Sequence, residues 1–510
     1  MPLDSVIDII AQGAWNEGTP VDNSIFENQG LEFKGGIPVN DETIQQRVGV
    51  RTRMAASADE RIGVKAMQNL IDTADIDWSR IKLFIGATNV GEDKYDPGPL
   101  IAYPFELVKK YCPEAMVLDV YAGCPGFNAS VEMAFVLSLS GVLKEGDVSI
   151  IVGAENIHRA NAFPPGDTGN IIFGDDALAS ALETKATLKP SGRYFVSEKY
   201  EHKLKEDFVT DAAARIYEAN GQNKIDGIII DNKIGLMEYR IPATAARIQH
   251  SLVEQMYPQE TSKGAFSNFK KALEFYDSNV RSFAFDINTV GEDRTMVHKL
   301  AKAYVESGKY GTVLAGTLTR DRNFEFSIHR GEGFVFEQPR FGIVDSHTSS
   351  HGCFADFIEV VHLDGDIWGA MNGKGVFLYA TRGAKTHIET LLSRNNLTIN
   401  DINLLIEHQA NFAMLPMTLN QILDMGQDDV KKDVVDYLAN KMVTNIHIRG
   451  NCSVVCMQRL PYDLKRGALK PDTIQGFPVN RNLENLKKAK IILYDSVGAG
   501  MIRSSVLRKI

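Results

Sequence analysis

Apolar residues recur along this chain in one compound pattern: a helix-period stripe, a short turn, then an unbroken apolar run. Met67, Leu70, Ile71 and Ala74 follow i, i+3, i+4, i+7 spacing, and Ile81 to Ala87 (IKLFIGA) then reads as a buried strand. Val209, Ala212, Ala213 and Ile216 repeat the stripe ahead of a strand at Ile225 to Ile230 (IDGIII). Ala384, Ile388, Leu391 and Leu392 repeat it again ahead of Ile402 to Ile406 (INLLI). Ile71 to Ile85, Ile216 to Ile230 and Leu392 to Ile406 each span 14 residues (85 − 71, 230 − 216, 406 − 392), so one α/β unit recurs three times.

The first two copies continue alike. Each adds a helical stretch (103–111, 244–252), a strand (MVLDVYA at 116–122, FAFDINT at 283–289) and a further apolar strand (VSIIVGA at 148–154, GTVLAGT at 311–317). Each is expected to close on a small-residue strand, ALASALE at 177–183 or EGFVFE at 332–337. Apolar strands alternating with helices predict βαβ units around a largely buried sheet. The expected organisation is a first unit over 1–190, a duplicate over 195–340 and a last unit over 341–510.

Length and charge narrow the function. At ~150 residues per unit, 510 residues allow about three, enough to bury a large core. A net charge of −10 argues against a nucleic-acid partner, which would call for a basic face. No apolar run nears the ~20 residues that span a bilayer, and MPLDSVIDII shows no basic segment ahead of an apolar one. A cytoplasmic protein without a membrane partner is therefore expected, its five cysteines reduced and one of them reactive.

The candidate chemistry starts at Tyr121-Ala-Gly-Cys-Pro-Gly-Phe127, where a strand passes through Gly123 to Cys124 at the start of a helix. A helix N-terminus favours thiolate, so the sulfur is expected to be acidic and nucleophilic. The third unit's strand ends in Glu407-His408-Gln409-Ala410-Asn411, and Arg449-Gly-Asn-Cys-Ser453 forms a second Gly-bearing turn. Near the C-terminus, Asp495-Ser-Val-Gly-Ala-Gly500 is a turn whose amides can face a reacting oxygen. His347, His351, Cys353 and Asp356 have metal-capable side chains, but SHTSSHG is rich in turn residues and is read as a polar loop, so no metal and no cofactor is expected.

In this order the four segments resemble the ketoacyl synthase III type of the thiolase superfamily. LDVYAGCPGF is similar to the family's DxNAACxGF, HQAN is identical, RGNCSVV is similar to HGNTSAA, and SVGAGM to the C-terminal GFGGG turn. QRVGVRTR (46–53), GNIIFGDDALAS (169–180) and MNGKGVFLYATR (371–382) are similar to RTGIRER, FGDGAGA and MNGREVFKFA. The resemblance implies a thiolase-like layered α/β/α/β/α fold, here with an inserted third, degenerate half, and a cytoplasmic homodimer. It implies an acyltransferase of the β-ketoacyl synthase kind, in fatty acid or polyketide biosynthesis, acting on acyl thioesters of carrier protein or coenzyme A. Cys124 would take the acyl group, with the backbone N–H groups of Cys124 and Ala499 as oxyanion hole. His408 and Asn451 would stabilise the enolate of a malonyl-type second substrate, and Arg47 and Asn411 would contact substrate.

Departures from the pattern refine this. Thr43 stands where members that use coenzyme A carry a Trp, Ala413 where they carry an Arg, and Arg449 replaces the His of HGNTSAA; all three tilt the expectation toward an acyl chain on carrier protein. Aligning FDINT with LDVYA puts Gly291 in the place of Cys124, followed by Glu292, Asp293 and Arg294, so the middle copy is expected to be non-catalytic. A thiolase would need a second Cys at the SVGAGM turn, and an HMG-CoA synthase a Glu near Asn89. Other readings are a non-elongating acyltransferase, a ring-forming ketosynthase, or a scaffold subunit with a dead site.

Overall fold

A computed structural model of the chain describes residues 3–33, 35–90, 102–164, 167, 169–234, 242–289, 295–423 and 432–510. Gly291, Glu292, Asp293 and Arg294 lie outside the described residues. Eleven strands, most of the expected ones among them, form one sheet. These are β1 (Ile7–Ala14), β2 (Ile81–Ala87), β3 (Met116–Tyr121), β4 (Val148–Glu155), β5 (Asp176–Thr184), β6 (Arg193–Val196), β7 (Tyr200–Lys203), β8 (Gly227–Asn232), β9 (Phe283–Thr289), β10 (Thr312–Leu318) and β11 (Asn323–Glu332). Their order is β1-β5-β4-β2-β3-β9-β8-β10-β11-β6, with β7 also on β11.

The closing strand of the second copy differs from the expectation. It is β11, over Asn323–Glu332, rather than 332–337. Phe324, Phe326 and Ile328 alternate inward, which satisfies a strand better than the FVF run. Gly333, at φ +76°, then turns the chain out of the sheet.

A second sheet is built from the last unit: β12 (Gly342–Ser350), β13 (Leu404–Glu407), β14 (Ile491–Gly498) and β15 (Ile502–Lys509), in the order β12-β15-β14-β13. Between the two sheets runs the helix Gly126–Leu139, all of whose residues are buried. GFNASVEMAFVLSL is apolar on every side, as a helix covered on every side must be. The hydroxyls of Ser130 and Ser138 donate to the carbonyls of Gly126 and Ala134, so these polar side chains enter the core satisfied. This central layer matters for the site, because the helix begins just after Cys124. Among the described residues no helix is long and apolar enough to cross a membrane.

Candidate functional site

Cys124 follows β3 and precedes the buried helix, whose first residue is Gly126. The chain turns here through Gly123 at φ +64°. A Cβ at Gly123 would lie 2.4 Å from the Ala499 nitrogen, and one at Gly498 would lie 2.3 Å from the Cys124 nitrogen. The two glycines let the nucleophile turn and the C-terminal SVGAGM turn touch backbone to backbone. That contact places the Cys124 and Ala499 backbones in neighbouring turns, with no room for a side chain at either glycine.

The thiol is not the acidic group expected from the sequence. Burial pushes Cys124 up to about 12; the Ser453 hydroxyl opposes the rise and the Glu155 carboxyl adds to it. Desolvation by the packed surroundings outweighs the helix terminus here, although the half-buried sulfur borders a cavity. The Ser453 hydroxyl donates to Cys124 Sγ across 3.3 Å. Asn89 Nδ2 donates to Ser453 Oγ and to Glu155 Oε1, both at 2.8 Å. The backbone N–H groups of Asn89 and Val90 also donate to the Glu155 carboxyl, at 2.8 and 3.2 Å. Burial nonetheless raises Glu155 to about 8, with those hydrogen bonds pulling it back down.

Glu155, Asn89 and Ser453 are participants that sequence reasoning missed. Glu155 caps the apolar run VSIIVGAE, and a carboxylate at the inner end of a buried strand was the available signal. Ser453 is held at φ +47° in a short helical turn, and its N–H donates to Asn451 Oδ1 at 2.8 Å. That bond leaves Nδ2 as the donor end of the Asn451 amide. Asn451 is buried beside β5's approach, its N–H donating to the Ile172 carbonyl at 2.8 Å.

His408 follows β13 and is buried. Its N–H donates to the Asp495 carbonyl at 2.9 Å, while Nδ1 has no hydrogen-bond partner among the described residues. Burial, and then the Arg503 charge, bring the imidazole down to about 3, so it is neutral at pH 7. Arg47 and Asn411 meet on the exposed side, Asn411 Nδ2 donating to the Arg47 carbonyl at 3.3 Å. The Arg47 guanidinium lies over the Phe33 ring at 5.4 Å. His447, near Asn451 in sequence, instead has Nε2 3.5 Å from the Asp472 carboxylate.

A largely apolar cavity opens beside the sulfur. Its walls include Val90, Ile157, Phe163, Phe173, Ile358 and Trp368, with Cys124, Ser453 and Ala499 at the polar end. Phe163 and Phe173 stack at 5.6 Å. A hairpin of Ile358–Leu363 and Asp366–Met371 closes the far wall, tied down by the Gly369 N–H donating to the Ala162 carbonyl at 2.7 Å. His408 and Asn451 are not among the residues lining this cavity. Among the described residues no group of three or more His, Cys, Asp or Glu side chains is arranged to hold a metal ion. His347 stacks on His387 at 4.5 Å, and His351 Nε2 lies 3.0 Å from Asp277 Oδ1.

The Glu155 charge gives a test of these couplings. In Glu155→Gln the Cys124 thiol should be easier to ionise, because a nearby negative charge is removed. Iodoacetamide alkylation of Cys124 should then be severalfold faster than in the wild type at the same pH. The difference should widen as pH rises through about 8, where Glu155 takes up its charge. Equal rates above that pH would break the coupling.

No protein-family model matches the chain. The chain is 32% identical over 179 residues to β-ketoacyl-[acyl-carrier-protein] synthase III 2 of Bacillus anthracis, covering 34% of this chain and 51% of that protein. It is 27% identical over 267 residues to β-ketoacyl-[acyl-carrier-protein] synthase III of Rickettsia bellii, covering 48% and 74%. The match thus spans about half the length of the Bacillus protein. Among solved structures, β-ketoacyl-[acyl carrier protein] synthase III of Thermus thermophilus superposes with a TM-score of 0.52 at 16% identity, covering 99% of both chains.

Proposed function

The chain is ketoacyl synthase III-like and its fold is thiolase-like, and from that premise we propose that it is a condensing acyltransferase that carries an acyl group on Cys124. What supports this reading is the backbone contact of the two glycine turns next to Cys124, a cysteine that lines an apolar cavity.

Cys124 Sγ attacks the carbonyl carbon of an acyl thioester. The Cys124 and Ala499 N–H groups hold the oxygen as it becomes an oxyanion. The tetrahedral adduct collapses by breaking the substrate's C–S bond, and the departing thiolate takes the proton that the cysteine gives up. The Ser453 hydroxyl, fed by Asn89, steadies the charge on sulfur during attack.

In the second half-reaction a malonyl-type thioester loses carbon dioxide. His408, neutral, and Asn451, through Nδ2, donate to its thioester oxygen and stabilise the enolate, which attacks the acyl-Cys124 carbonyl. The cavity suits an aliphatic acyl chain, since its walls offer little to hydrogen-bond a polar one. Arg47 and Asn411 would receive the carrier's arm on the exposed side.

The test is acylation. Incubation with a radiolabelled acyl thioester on carrier protein or coenzyme A should leave label on the peptide containing Cys124 in the wild type and none in Cys124→Ala. Malonyl thioester should then chase the label into a chain-extended product. A wild type that never takes label would overturn the proposal and leave a scaffold in its place.

A further inference from the structure

Ten of the eleven strands form a path that is symmetric about its centre, with β7 as the extra strand on β11. From the centre outward, the first half runs β3-β2-β4-β5-β1 and the second runs β9-β8-β10-β11-β6. The senses agree as well. β2 is parallel to β3 and β4, as β8 is to β9 and β10; β4 is antiparallel to β5, as β10 is to β11. The two halves join where β3 pairs antiparallel with β9, Asp119 opposite Asn288, Val120 opposite Ile287 and Tyr121 opposite Asp286.

Under the alignment of LDVYA with FDINT, Val120 and Ile287 are the same position in the two copies, and each faces the other. Asp119 faces the counterpart of Tyr121, and Tyr121 faces the counterpart of Asp119. This reciprocity is the signature of a two-fold, isologous contact. The helices that follow the paired strands, Gly126–Leu139 and Thr295–Glu306, pack on each other across the same axis. The middle unit also reaches the site. Its helix Thr244–Met256 lies under the Ala499 turn, with Ala246 next to Gly500 and Gln249 accepting from the Gly352 N–H at 3.0 Å.

We propose that residues 195–340 stand in the place of a second copy of the chain, so that the protein is a fused pseudo-dimer, monomeric in solution, in place of the expected homodimer. The edge of β3, through which two like halves would pair, is already filled by β9 of the same chain. The middle unit holds none of the five cysteines, so the fused assembly has one nucleophile-bearing half where a dimer would have two.

Light scattering on the eluting full-length protein should give the mass of one chain, 56.4 kDa, at every concentration from well below micromolar upward. A two-chain mass would overturn the proposal. The pairing itself is read by Val120→Cys with Ile287→Cys. Opposed residues on antiparallel strands lie ~4.5–5.5 Å apart at Cα, within disulfide reach. Oxidation should link peptides 120 and 287 within one chain, with no gain in mass on a non-reducing gel. A covalent dimer, or full oxidation without that link, would overturn the intrachain pairing. Both readouts are independent of acyl transfer, so they stand or fall apart from the proposed activity.

Discussion

Gly498→Ala is expected to slow acylation of Cys124 by about 10²–10³-fold, the loss typical of removing one oxyanion donor. Gly498 sits at φ −167°, ordinary extended backbone, so the expected effect is one of space rather than strain. An added Cβ would lie 2.3 Å from the Cys124 nitrogen, 2.8 Å from Pro125 Cδ and 2.9 Å from Cys124 Cβ. None of these atoms belongs to a flexible side-chain end, so the turn itself must retreat. A retreat of about 1 Å is enough to cost two orders of magnitude in a positioned reaction. Gly373→Ala is the control: nothing lies within 4 Å of its added Cβ. The measurement is the rate of radiolabel transfer from an acyl thioester, with melting temperature recorded alongside. Wild-type acylation in the Gly498 variant would mean that the N–H pair does not hold the oxyanion.

Much of this fold could be read in the hydrophobic pattern, because period and length decide element type where segments are buried. IKLFIGA, MVLDVYA and VSIIVGA each became strands within a residue of their expected limits. The closing strand of the second copy was misread because two adjacent apolar runs competed, and only the sheet shows that alternating FEFSIH faces the core. The two turns that meet at Cys124 and Ala499 stood out in the sequence because they are short and rich in glycine. Glu155, Asn89 and Ser453 did not, since their meaning comes from meeting one another across 66 and 364 residues. The acidity expected of Cys124 failed for a related reason. Local sequence reveals a helix start, but only the packed structure reveals how far the surrounding protein desolvates the sulfur, and desolvation is the larger effect.

The other large effect concerns the joint between the three units proposed from the sequence. Lys309, in the expected middle unit, has a buried side chain, its ammonium 2.7 Å from Asp345 Oδ1 and 3.9 Å from Glu132 Oε1. It also donates to the Ser346 carbonyl at 2.7 Å and the Ser346 hydroxyl at 2.9 Å. Glu132 comes from the central helix of the first unit and accepts from Tyr310 OH at 2.6 Å; Asp345 begins the last unit's sheet and accepts from Arg394 Nε at 2.7 Å. Burial lowers Lys309 and its neighbouring carboxylates raise it, while Lys309 and Arg394 hold Asp345 below the usual carboxylate range. Lys309→Met keeps most of the volume but leaves two buried acids short of a cation. Removing one partner of a buried ion pair costs about 3–5 kcal/mol, chiefly because the remaining charge is stranded. Chemical denaturation should show a loss of that size. Adding Asp345→Asn should restore part of it, since the stranded charge goes too, a coupling that a double-mutant cycle measures. A loss below about 1 kcal/mol would mean that Arg394 and the surrounding hydroxyls already balance the acids. The lysine would then fasten the middle unit to its neighbours no more firmly than a surface ion pair.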